Sequence, residues 1–175
     1  MPGPMPGFCF FFAGKWATAQ TLRSGAIMNL TEYTRETLHG LSGVVVVVET
    51  IKPDAEADGL KVTELQTDVE LRLAQGGIRV LPHAEWRQTP GRPWLYVSVN
   101  TIKHLESYFF SVDVQLKQDV SLPRQPSIVT SSVTWELGSI GFVNTELLPA
   151  KIRESVGAYV DHFIADYSTV NSASH

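Results

Sequence analysis

Two His-x-Glu triplets, His83-Ala84-Glu85 and His104-Leu105-Glu106, are the residues best suited by type to hold zinc or iron, because imidazole and carboxylate together ligate both metals. Their spacing argues against a shared site. An alternating stretch that starts near Trp94 separates them, and about nine strand residues at ~3.3 Å each would put them almost 30 Å apart. Ser42, in Gly40-Leu41-Ser42-Gly43, stands between a loop and a strand, whereas a nucleophile elbow needs strand, serine, then helix. Gly76-Gly77 follows a helix instead of opening one, so it aims no helix amino-terminal amides at a phosphate. Asp68 and Glu70 are two apart on a helix and diverge. No catalytic set, metal or cofactor is assigned from these residues.

Two other groups can bind. The stretch Trp86, Thr89-Pro90-Gly91-Arg92-Pro93, Trp94 and Tyr96 gathers aromatic and Arg side chains around a turn, residue types enriched where proteins meet. With Asp113 on the same polar strand face, Trp86, Arg92, Trp94 and Tyr96 form the leading candidate surface. The alternative is a pocket at the carboxyl end of the first strand, built on Glu49 and Gln66, since pocket-forming loops gather at such strand ends.

The elements that must position them follow from periodicity. A short helix is expected over 30–39, with Thr31 as its cap and Gly40 past its end. Val44 to Val48 are five consecutive valines, which predicts a strand buried on both faces. Lys52 to Gly59 reads as a loop, and Thr63-Glu64-Leu65-Gln66 as a capping box. Val62, Leu65, Val69 and Leu73 give the next helix one apolar stripe, stopped at Gly76-Gly77. Ile78 to Leu81 then returns as a second strand. From Trp94 the period becomes two: Leu95, Val97 and Val99, then Phe110 to Leu116, then Val129 to Leu137 after Pro123 and Pro126. These predict an antiparallel meander with one apolar and one polar face. Ile152, Val156, Val160, Phe163 and Tyr167 mark a last amphipathic helix, with Pro149 near its start and a frayed polar tail from Ser168. The sum is an α+β two-layer sandwich in the order β-α-β-β-β-β-α, its sheet mixed but mostly antiparallel and its helices on one face.

Length and composition bound the rest. At 175 residues with 43% hydrophobic and 18% charged, the chain supports a single folded domain over 30–171, with a leader over 1–29 and a tail over 172–175. Fourteen Lys and Arg against eighteen Asp and Glu, scattered along the chain, disfavour a nucleic-acid partner. The single Cys9 forbids an internal disulfide and a multi-cysteine metal site. The run Phe8 to Ala13 is too short to span a bilayer. With Ala17-Thr18-Ala19 behind it, the run reads as a degenerate secretion signal cleaved before Gln20. A start at Met28 is the competing reading, leaving a cytoplasmic chain. No lipid anchor is predicted.

The segments Leu38-His39-Gly40-Leu41-Ser42-Gly43-Val44, Leu65 to Leu73, Thr89 to Asn100 and Ile152 to Val156 resemble small, uncharacterised exported bacterial proteins over roughly residues 35 to 171. The order of elements is similar to the amino-terminal domain of TolB and to CsgG-like envelope proteins. That resemblance implies an exported, periplasmic module that binds a protein partner or itself and assigns it no catalysis. A small-molecule binder or hydrolase, with its pocket at Glu49 and Gln66, is the alternative. A pocket of at least ~300 Å³ with two or more converging titratable groups would favour that alternative.

Overall fold

Four valines, Val45–Val48, form strand β1, whose restricted side chains favour the extended backbone. In the computed structural model, which describes residues 33–172, β1 runs parallel to β2 (Trp94–His104). β2 then pairs antiparallel with β3 (Ser107–Leu122), and β3 with β4 (Gln125–Asn144). The sheet order is β1-β2-β3-β4. Between β1 and β2 lie helices α1 (Pro53–Ala57), α2 (Val62–Gln75) and α3 (His83–Trp86), and α4 (Leu148–Asn171) closes the fold. This is an α+β domain with a mixed, mostly antiparallel sheet. The described residues from Thr34 onward belong to one compact unit.

Alternation decides which side of the sheet is covered. Val46, Leu95, Val97, Val99, Phe110, Val112, Val114, Leu116 and Trp135 point to one face and are buried. Against them pack Leu65, Val69 and Leu73 of α2 and Ile152, Val156, Val160 and Phe163 of α4. Phe163 meets the Trp135 ring edge-on at 5.1 Å, and the indole Nε1 donates to Asp166 at 2.9 Å. Arg153 ties α4 back to α2 through Asp68 at 2.7 Å and Glu64 at 3.2 Å. On the opposite face, among the described residues, the one-turn α3 packs at the Trp94 end of β2, and the far end of β2–β4 stays open.

Several local expectations are corrected. The second strand shrinks to a single parallel bridge between Val44 and Val80, because one turn of chain after Gly77 leaves little room before Pro82 redirects it. The polar stretch after Lys52 is helical: Pro53 occupies the first turn, where its missing amide costs nothing, and Ala55 is buried. The capping box does not form. α2 starts at Val62 without a side-chain cap, and the Gln66 amide instead donates to the Val46 carbonyl at 3.1 Å on the outer edge of β1. The triplet His83-Ala84-Glu85, read as loop, lies in α3.

The tail is shorter than Ser168 onward implies. Helix α4 continues to Asn171, whose side-chain amide donates to Leu38 O at 3.0 Å and accepts from Gly40 N at 2.8 Å, so the last turn is fixed to the 38–40 turn. Of the helix expected over 30–39, residues 33–36 are helical and Gly40 follows at φ +74°. Its Thr31 cap, the Phe8–Ala13 run, the Ala17–Ala19 pattern and Met28 lie outside the described residues.

Candidate functional site

The uncovered face of the sheet has three zones along its strands. At one end, α3 sets Trp86 against Trp94, ring centroids 6.1 Å apart, and Trp94 against Tyr96 at 6.2 Å. Tyr96 and Trp94 alternate with buried Leu95, so the strand's pleat puts both on the open side. Lys117, on the neighbouring strand, holds its ammonium 3.6 Å from the Tyr96 ring centroid and 5.7 Å from that of Trp94. The Trp86 indole N–H is buried with no acceptor. Arg92 adopts φ +40° in the turn and pairs with Asp119 at 2.6 Å, which fixes the turn to β3. The structure brings Trp86, Trp94 and Tyr96 together, with Arg92 held by its ion pair to Asp119.

The middle zone is polar. Ser98 Oγ donates to Glu49 at 2.6 Å, and Asn100 donates to Ser98 Oγ at 3.2 Å. Burial first, then the Glu49 carboxylate, pushes the Tyr96 phenol above its ordinary range. Asp113 lies opposite both Ser98 and Gly138, two residues along β3 from the partner of Tyr96, and so sits apart from the aromatic corner. Its carboxyl leans over Gly138, where an added Cβ would collide with it. Burial, and then repulsion from Glu136, raises the Asp113 pKa. Gln115 donates to Glu136 at 3.3 Å.

The Glu49 and Gln66 pair does not come together. Glu49 turns to the open face beside Ser98, while Gln66 projects from α2 to the outer edge of β1, where it also bonds Glu70. β1 separates them, and the titratable group that Glu49 meets is the Tyr96 phenol on the open face.

The third zone was not anticipated. Ile102, Phe109 and Phe142 are paired in register across three strands, and Ile140 stands diagonally beside them. The Phe109 and Phe142 rings lie 5.0 Å apart. All four side chains are exposed, Ile140 at 86%. Together with Asn100 and Ser111 they line an open hollow of about 720 Å³. Gly141 lines the hollow as well, and on the covered side of the sheet the Phe110 ring occupies the space a Cβ would need. Lys52 is the one titratable residue on its wall, and its Nζ donates to Thr101 O at 2.7 Å.

Chemically the face offers surfaces for binding. The hollow is large enough for an apolar ligand segment, yet it gathers no acid and base. Among the described residues no three His, Cys, Asp or Glu side chains come together as metal ligands. His83 packs edge-on to Trp86 at 6.0 Å, and His104 ends β2 at the opposite end of that strand. No protein-family model matches the chain, and no curated protein matches it. No helix among the described residues is long and apolar enough to cross a membrane.

Proposed function

We propose that this protein is a non-enzymatic docking module, exported to the bacterial envelope, that binds a protein partner or its own copy with the open face of its sheet. One observation carries the reading: Ile102, Phe109, Ile140 and Phe142 form a contiguous exposed apolar patch on a part of the sheet that no helix among the described residues covers. Grouped apolar exposure of this kind marks interaction surfaces, whereas single exposed apolar residues do not. The aromatic corner at the other end adds Trp, Tyr and a cation, types enriched in interface centres. Export rests on the Phe8–Ala13 run and the Ala17-Thr18-Ala19 pattern.

The test places a photo-crosslinking amino acid at Phe109 and, as control, at Glu154 on the outer side of α4, in cells that produce the full chain. Discrete protein adducts are expected at Phe109 and not at Glu154. Equal adducts at both positions, or none at Phe109, would overturn the docking reading. Amino-terminal sequencing of the crosslinked chain should begin at Gln20; a chain beginning at Met1 or Met28 would end the export reading.

A further inference from the structure

We infer that two copies of this chain join edge to edge through β4, in an antiparallel register centred on Ile140. The inference rests on the docking reading and names its partner. β4 is the outermost strand among the described residues, so its outer row of amides and carbonyls faces no neighbouring strand. Proteins usually blunt such an edge with charge, proline, a bulge or a covering loop. The first half of β4 uses all but the charge. Pro126 removes an amide, the register shifts where Leu116 pairs with Trp135 and Lys117 with Val133, and the Thr37 hydroxyl takes the Thr134 carbonyl at 3.2 Å.

From Trp135 to Asn144 a single charge is all that remains of these devices among the described residues. The pairing to β3 is regular, there is no proline, and Glu136 is the sole charge. This segment is about 33 Å long at ~3.3 Å per residue.

The segment is also complementary to itself. In an antiparallel pairing about a two-fold axis, residues equidistant from the centre oppose each other on the same face. Centred on Ile140, the most exposed large apolar side chain among the described residues, the strand sets Ile140 against its copy. Phe142 falls opposite Gly138, over which the Asp113 carboxyl leans, and Val143 falls opposite Leu137. Glu136 meets Asn144, a neutral amide. Neighbouring registers are worse: a centre at Ser139 sets Glu136 against Phe142, and one at Gly141 carries Glu136 beyond Asn144, the last residue of β4, and leaves it without a strand partner. The chosen register joins the two sheets into one of twice four strands and brings both apolar hollows side by side on the same face.

An edge strip of this length falls at the small end of specific interfaces, below ~1,200 Å², so association in the micromolar range is expected. Sedimentation equilibrium of the full chain from about 1 to about 200 µM, the range such an interface requires, should show a monomer–dimer equilibrium. Ile140→Lys opposes two ammonium groups at the axis and should leave monomer throughout, with an unchanged circular dichroism spectrum. Ile102→Lys, equally on the open face but on β2, should keep the dimer. In a Cys9→Ser background, Ile140→Cys should form a disulfide-linked dimer on oxidation, while Leu105→Cys in the exposed β2–β3 turn should not. A monomeric parent, a dimer that survives Ile140→Lys, loss of the dimer in Ile102→Lys, or linkage at Leu105→Cys equal to that at Ile140→Cys would each overturn the inference. A monomer that still crosslinks another protein through Phe109 would sink this pairing alone and leave the docking reading standing.

Discussion

Asp113 shows how one residue on the open face trades stability for a polar surface. Its carboxyl rests in the gap above Gly138, partly out of water and near Glu136, and both circumstances favour the protonated form. A carboxyl with a raised folded-state pKa binds its proton more tightly folded than unfolded. Its ionisation therefore weakens folding as pH rises from the ordinary value of 3.8 through the raised one. Asp113→Asn keeps the shape and removes the charge. The variant should melt at a higher temperature than the parent at pH 7, and the two should converge as the pH is lowered below the ordinary carboxylate value. Thermal unfolding followed by circular dichroism across that range checks it, and a variant less stable than the parent at pH 7 would contradict the assignment. Asp58 behaves in the opposite sense. Hydrogen bonds from Lys103 and from the buried Tyr108 phenol, at 2.6 Å for the latter, lower its pKa and hold one end of the covered layer together.

Among the elements, α4 contributes most to making one face of the sheet inaccessible. Phe163 is fully buried against Trp135, and Ile152, Val156 and Val160 continue the same stripe. Phe163→Ala empties a position that the surrounding rings cannot refill, and should cost about 3 to 5 kcal/mol, measured by urea unfolding. A loss under about 1 kcal/mol, typical of surface sites, would mean that α4 does not pack as described. That helix was legible from its apolar spacing, as were β2 and β3 from their period of two, because burial on one side writes itself into sequence. The second half of β4 was not. The alternation from Val129 stops at Leu137, and the purpose of Gly138 and Gly141 appears only once Asp113 and Phe110 of β3 are laid beside them. Thr63 and Gln66 match a cap, yet the unpaired Val46 carbonyl is the stronger claim on the glutamine, and only tertiary structure supplies that competitor. The hollow was illegible for a related reason. Ile102, Phe109, Ile140 and Phe142 are scattered in sequence, and strand register alone assembles them.

At the scale of the whole molecule, the two-layer arrangement leaves a broad sheet face whose ends differ in chemistry, aromatic and cationic at Trp94, Tyr96 and Lys117, apolar at Ile102, Phe109 and Phe142. A native fold that exposes such a hollow should bind the fluorescent probe 8-anilinonaphthalene-1-sulfonate without losing fixed side-chain packing. Packing and exposure are separable. Loosely packed compact states also bind this probe, but they lose the near-ultraviolet circular dichroism of their aromatic rings. The parent is expected to bind the probe with that signal intact. Ile102→Ser with Phe109→Ser should cut the bound fluorescence several-fold. Both side chains are exposed, so stability should stay within about 0.5 kcal/mol of the parent. Trp94→Ala with Tyr96→Ala, at the far end of the face, should leave the probe signal unchanged. Equal fluorescence from the serine variant and the parent would place the probe elsewhere and remove the hollow as the apolar feature of this face.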